Sequence, residues 1–109
     1  MKIIAYLGGS RGQSVLLSLI DKNLIPEFVY IKQTSEIDII IEECKLNSIE
    51  YELIDRKFSK KHTLDVSSKS PDLLLVSGFN SILPGSLLNV AKYGGINCHA
   101  GRLPIYRGA

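Results

Sequence analysis

Two cysteines, Cys44 and Cys98, are the only thiols in 109 residues, and they lie far apart with no Cys-x-x-Cys pairing. That supply builds neither a disulfide framework nor a zinc site; no metal is expected, and the usage fits a reducing, cytoplasmic compartment. Charge of one sign is equally scarce: 13 basic against 11 acidic residues leave a net +2. No electrostatic footprint for nucleic acid arises from so small a surplus, so no nucleic-acid partner is favoured. No apolar run approaches membrane-spanning length. The opening stretch Met1–Gly8 is too short in its apolar part for a signal peptide, and no small-residue cleavage site follows it. Repeats, linkers and low-complexity segments are absent as well.

What the chain does hold is aliphatic. Hydrophobic residues make up 45% of it, and Ile and Leu alone contribute 29. With a net charge this low, such a content excludes intrinsic disorder. The length suits one domain with one packed core, because two would each be hard to stabilise.

The apolar residues are arranged in short runs separated by helix-periodic stretches. Lys2 to Leu7 reads as a first strand, stopped by Gly8-Gly9-Ser10-Arg11-Gly12. Gln13 to Lys22 carries Val15, Leu16, Leu19 and Ile20 at helical spacing. Phe28–Ile31 reads as a second strand. Ser35 is placed to cap a helix whose inward stripe is Ile37, Ile40, Ile41 and Cys44. Tyr51–Ile54 reads as a third strand. A polar stretch follows, with a short helix expected over Thr63–Ser68. Asp72–Phe79 is apolar without alternation, as in strands covered on both faces in a parallel sheet. Pro84–Ala91 reads as a short helix, Gly95–His99 as a fifth strand, and the remaining tail as loop.

This alternation predicts an α/β fold, a Rossmann-like, doubly wound parallel sheet of about five strands. Ligands of such sheets bind beyond the carboxyl ends of the strands. The segments Gly8–Gly12, Asn80–Leu83 and Asn97 onward all fall at that edge. Open sheet edges would also favour pairing with a second copy, so a homo-oligomer is a reasonable expectation.

The glycine-rich segment follows a strand and opens a helix, where backbone N–H groups can meet an anion. It is not a P-loop, since no Gly-Lys-Ser/Thr follows. The glycine spacing and Lys32-Gln33 at the second strand's end also depart from a dinucleotide fingerprint. A tight turn that needs glycine for backbone reasons explains it equally well, while Arg11 adds a possible phosphate or carboxylate contact. Asn97 and His99 stand at i, i+2 on one strand and so share a face. An amide donor beside an imidazole suits a reaction that forms an oxyanion and moves a proton, although a polar pair closing a strand end has the same spacing. His62, within Lys60-Lys61-His62, reads as a surface residue; Cys44 and Cys98 read as small core residues.

The segment from Gly95 to Ala109, with Asn97-Cys98-His99 followed by Leu103-Pro104-Ile105-Tyr106-Arg107-Gly108, strongly resembles the signature of the folate-dependent formyltransferases. That family includes glycinamide ribonucleotide, methionyl-tRNA and nucleotide-sugar N-formyltransferases. Asp72–Pro84 resembles its central strand and pterin-holding loop, and Met1–Gln13 its first strand and substrate-side loop. The resemblance runs through the whole chain in order, and its last third is the specific part.

The resemblance implies N10-formyltetrahydrofolate as formyl donor, with no metal, and a small-molecule amine as acceptor. Its pterin would meet backbone at Asn80, Ser81, Ile82 and Leu83. Asn97 and His99 would be catalytic, the first donating to the oxyanion and the second assisting proton transfer. Gly9, Ser10, Arg11 and Gly12 would lie on the acceptor side. The acceptor implied is a phosphorylated or nucleotide-linked amine, including amino sugars, with glycinamide ribonucleotide and methionyl-tRNA as alternatives. Gly101 and Arg102 depart from the family's usual residues without touching the chemistry. The family's catalytic Asp lies downstream of the Tyr-Arg-Gly segment, and neither Asp55 nor Asp72 has its register. Residues 1–109 would then be the N-terminal portion of a catalytic domain, inactive by itself. A different class of reading is a non-catalytic Rossmann-like module that retains folate or nucleotide binding.

Overall fold

Two runs, Ile3–Leu7 and Leu73–Ser77, form the centre of the molecule because neither has a polar side that could face water. The first is buried at every position, and the second at every position but its half-buried first residue. The computed structural model describes residues 1–33, 38–54, 58–79 and 83–98, and the backbone of 105–106. In chain order the elements are β1 (Ile3–Leu7), α1 (Gly9–Asp21), β2 (Phe28–Lys32), α2 (Asp38–Leu46), β3 (Glu50–Ile54), α3 (Lys60–Ser68), β4 (Leu73–Ser77), α4 (Gly85–Leu88), β5 (Gly95–Asn97) and β6 (Ile105–Tyr106).

The sheet order is β3-β2-β1-β4-β5-β6. The first five strands pair in parallel, and β6 pairs antiparallel with β5. The expected five-strand parallel sheet is therefore present, and the tail read as loop contributes a short sixth strand.

Each face of the sheet is covered by its own pair of helices. Leu16 and Leu19 of α1 and Ile40 and Cys44 of α2 pack with Ala5, Leu7, Val29 and Ile31 on one face. Val66 of α3 and Leu87 and Leu88 of α4 pack with Ile4, Tyr6, Tyr30, Leu74 and Val76 on the other. Apolar side chains alternate between the two clusters along β1, which is why this strand shows no polar period.

Three helix boundaries differ from the sequence expectation. Helix α1 begins at Gly9 rather than Gln13. A Cβ at Gly12 would lie 3.0 Å from Leu7 Cβ, so this glycine lets the first helical turn rest on the end of β1, and packing outweighs glycine's poor helix propensity. Helix α3 begins at Lys60 rather than Thr63, because Ser59 caps it by accepting a hydrogen bond from the His62 backbone N–H at 3.1 Å. Helix α4 ends at Leu88, short of Ala91. From there, bonds from Tyr93 N–H to the Asp72 carbonyl and from Leu74 N–H to the Gly94 carbonyl draw the chain into β5. Ser35 and Ile37, expected to open and line the second helix, lie outside the described residues, as does Asp55.

Candidate active site

Sheet order reverses between β1 and β4, and the crevice of a doubly wound fold lies beyond the strand ends at that point. The chain leaves β1 through Gly8 and β4 through Gly78, and the two turns touch. Gly8 N–H donates to the Ser77 carbonyl at 3.0 Å. Gly78 takes φ 75°, and a Cβ there would strike the Gly8 carbonyl oxygen. A Cβ on Gly8 would in turn lie 2.7 Å from the Gly78 oxygen. The turn expected on the acceptor side and the segment expected on the donor side are thus joined backbone to backbone.

From Gly8 the chain enters α1 directly. Ser10 and Arg11 are exposed, Gly9 is half-buried and Gly12 is buried. Gly12 N–H donates to the Gly8 carbonyl at 2.9 Å and closes the first helical turn. The preceding N–H groups, at Gly9, Ser10 and Arg11, have no acceptor within the helix and lie at its positive end. Of the expected acceptor-side residues, Gly12 packs against the end of β1, while Gly9, Ser10 and Arg11 form the first turn of α1 after that strand.

Register brings Asn97 to the same edge. Asn97 pairs with Val76, Val76 with Tyr6, Tyr6 with Tyr30 and Tyr30 with Glu52. This row shares one face, the face covered by α3 and α4. Cys98 takes the opposite face and packs against the cluster under α1 and α2, as the alternation at positions 97 and 98 requires. Ser77, a fully buried polar residue, holds this strand end in place. Its hydroxyl donates to the Cys98 carbonyl at 3.3 Å, beside a 2.7 Å bond from Cys98 N–H to the Val76 carbonyl. His99, Asn80, Ser81 and Ile82 lie outside the described residues, and so does the Leu103-Pro104 part of the signature. Leu83 is buried in the same cluster as Tyr6, Val76 and Leu87. Asp72 stands at the opposite, amino edge, where its carboxylate accepts from Lys2 N–H at 2.7 Å. It is not a partner for a group at the carboxyl edge.

His62 corrects the sequence expectation outright. It is half-buried, not a surface residue, and its Nε2 lies 2.7 Å from the Tyr6 hydroxyl. Its ring packs at 4.6 Å from Tyr30 and 5.4 Å from Phe58. Tyr6 stacks on Tyr30 at 5.0 Å and meets Phe79 edge-on at 5.8 Å. Burial lowers the imidazole pKa against the pull of Glu52 and Asp65, and Lys69 acts in the same direction as burial. Burial likewise raises the Tyr6 hydroxyl pKa, aided by Tyr30, and pushes Tyr30 up to about 12, aided by Glu52 and Asp65. The i, i+4 spacing of Phe58, His62 and Val66 behind the Ser59 cap was the available signal, and the neighbouring lysines obscure it.

A separate cleft of about 210 Å³ opens at the amino edge between Lys2, Glu27, Phe28, Glu50 and Lys69. Lys69 Nζ sits 4.6 Å above the Phe28 ring there. Among the described residues, no group of three or more His, Cys, Asp or Glu side chains is arranged to hold a metal ion. No helix among them is long and apolar enough to cross a membrane.

No family model matches the chain. A methionyl-tRNA formyltransferase of Geotalea uraniireducens is 54% identical over 44 residues, covering 40% of this chain and 14% of that protein. A methionyl-tRNA formyltransferase of Thermodesulfovibrio yellowstonii is 34% identical over 101 residues, covering 92% of this chain and 32% of that protein. Over nearly its whole length the chain is thus similar to a methionyl-tRNA formyltransferase, and the comparisons support the folate-dependent formyltransferase family. Its fold agrees with solved formyltransferases. The phosphoribosylglycinamide formyltransferase of Anaplasma phagocytophilum superposes with a TM-score of 0.66 at 21% identity, over 91% of this chain and 49% of that one. The corresponding enzyme of Streptococcus pneumoniae gives 0.63 at 17% identity, over 90% and 56%. The chain thus spans about a third of its T. yellowstonii relative and about half of these solved formyltransferases.

Proposed function

We propose that the protein carrying this chain transfers a formyl group from N10-formyltetrahydrofolate to a primary amine on a phosphorylated or nucleotide-linked molecule, an amino sugar among them, in the cytoplasm. The reading rests chiefly on Asn97, held at the carboxyl end of β5 on the same sheet face as Leu83. The α1 N-terminus opens across the Gly8–Gly78 contact. The arrangement offers an amide donor, an apolar wall for a flat pterin and a positive helix end for an anionic acceptor. Two free cysteines, Cys44 and Cys98, suit a reducing compartment.

In this reading the amine nitrogen forms a bond to the formyl carbon, and the carbonyl electron pair moves onto oxygen. Asn97 donates its amide N–H to that oxygen, and His99 supports it and passes the amine's proton on. When the carbonyl reforms, the bond to N10 breaks and N10 leaves with a proton. Asn80, Ser81 and Ile82 join Leu83 around the pterin; Gly9, Ser10 and Arg11 face the acceptor's phosphate, with Gly12 supporting them from below. Relatives are named as formyltransferases of methionyl-tRNA and of phosphoribosylglycinamide, so both molecules belong on the acceptor panel.

The test is formyl transfer by the protein carrying this chain from N10-formyltetrahydrofolate to a nucleotide-linked amino sugar, glycinamide ribonucleotide and methionyl-tRNA. Turnover with one of them supports the reading and fixes the acceptor. Reduced-folate binding without turnover on any amine would replace it with a non-catalytic folate-binding module. No folate binding at all would remove the donor.

A further inference from the structure

The amino ends of the strands carry a second cleft, at the opposite edge of the sheet from the Gly8–Gly78 turns. Register assembles its floor. Ile4 pairs with Phe28 and Phe28 with Glu50, so Lys2, Phe28 and Glu50 share one face. The turn that ends α3 covers this row. Ser70 takes φ 50°, a left-handed conformation uncommon outside glycine, and Lys69 lies over the Phe28 ring with Nζ 4.6 Å from its centroid. Lys2 Nζ donates to the Lys69 carbonyl at 2.9 Å, and Glu27 completes the lining of about 210 Å³.

Two ammoniums and two carboxylates thus surround one small space, yet among the described residues none of the four forms an ion pair. Lys69 is the least satisfied. It is half-buried, its ammonium faces the rings of Phe28 and Tyr30, and that ammonium has no hydrogen-bond acceptor among the described residues. A partly desolvated cation is stabilised most by an acceptor of opposite sign. Glu27 and Glu50 oppose a polyanion there and leave the lining with no net charge. The space corresponds to about seven waters at roughly 30 Å³ each, and it lies below the ~300 Å³ of a cofactor-sized pocket.

We propose that this cleft binds a small zwitterion of the amino-acid class, with its carboxylate on Lys69 and its ammonium toward Glu27 and Glu50. The site is separate from formyl transfer. Roughly 20 Å of chain along β1 divides it from the Gly8 turn, so it does not depend on the donor assignment.

The test is an amide chemical-shift titration of the protein carrying this chain with glycine and L-alanine. Sodium acetate, methylammonium chloride and inorganic phosphate serve as single-charge probes. Glycine should shift the amides of residues 2, 27–28, 50 and 68–70 with a Kd on the order of 1 mM, about tenfold tighter than acetate or methylammonium. Lys69→Met, which keeps an unbranched stem over Phe28, and Glu50→Gln should each weaken glycine binding about five- to tenfold. Lys69→Arg keeps the cation and should stay within about threefold of the wild type. Lys45→Met, on α2 at the other face of the sheet, is the control and should change nothing. Thermal melts check that each variant keeps its fold. No saturable shift at these residues overturns the proposal. Acetate or phosphate binding as tightly as glycine would make the cleft an anion site and overturns it too, as does glycine binding that survives both Lys69→Met and Glu50→Gln.

Discussion

Gly8 and Gly78 occupy each other's side-chain space at the point where the sheet reverses its strand order. Because the contact is backbone on backbone, no rotamer change can relieve an added methyl group. Gly78→Ala also places a side chain at φ 75°, and it should destabilise the fold by about 2–4 kcal/mol in chemical denaturation. A loss under half a kcal/mol would show that the two turns can separate freely.

Asn97→Ala should cost no more than about 1.5 kcal/mol of stability, the size of one hydrogen bond, because Asn97 is half-buried at the end of a short strand. Turnover should nevertheless fall by about 10²–10³-fold, the size of one lost oxyanion donor. A change confined to KM would instead make Asn97 a binding residue.

Ser77→Ala should cost about 0.5–1.5 kcal/mol, since the Cys98 carbonyl loses its 3.3 Å donor inside the sheet. If β5 needs that bond for alignment, turnover will fall further than the stability loss explains. Equal stability and turnover in the variant and the wild type would show that the Cys98 N–H bond alone sets the strand end.

The two edges of the pH range should report on the aromatic wall in opposite directions. Burial lowers the His62 pKa in the fold, so the unfolded chain binds the extra proton first. His62 therefore contributes stability above its ordinary pKa of about 6.5 that is lost as pH falls through the folded value. Tyr30, pushed up to about 12, contributes stability below the ordinary tyrosine value of about 10 that is lost as pH rises through the folded one. Denaturation midpoints of wild type and His62→Leu from pH 5 to 8 test the acid side. A wild-type midpoint no more pH-dependent than the variant's would mean that Glu52 and Asp65 cancel the burial.

Thiol labelling at pH 8 should separate the cysteines by depth. Cys44 is fully buried, with its thiol pushed up to about 11 by burial and by Glu43, and should react only on unfolding. Cys98 is half-buried and its thiol is raised by burial alone, so it should react slowly in the native state. Fast labelling of both would show that the layer of α1 and α2 opens readily.

The parallel sheet and its two helical layers are legible in the sequence because the apolar runs are unbroken, as in Leu73–Ser77; the order of the strands is not, since it depends on which runs pair across the sheet. Asn97 is legible because period-2 alternation assigns its face without tertiary knowledge. Helix starts are harder to read. Gly9–Gly12 becomes helical only because Gly12 fits against Leu7, a contact that propensity does not contain. His62 is obscured for a related reason, since its two lysine neighbours are exposed while its own ring turns to Tyr6 and Tyr30.

The row from Glu52 through Tyr30, Tyr6 and Val76 to Asn97 makes this protein intolerant of changes in length where it could accept changes in composition. Deleting or inserting one residue within Gly95–Asn97 would turn the amide under the α1 and α2 layer and bring a thiol to the crevice. Over those three residues, spacing should be inherited more strictly than identity at any position except 97.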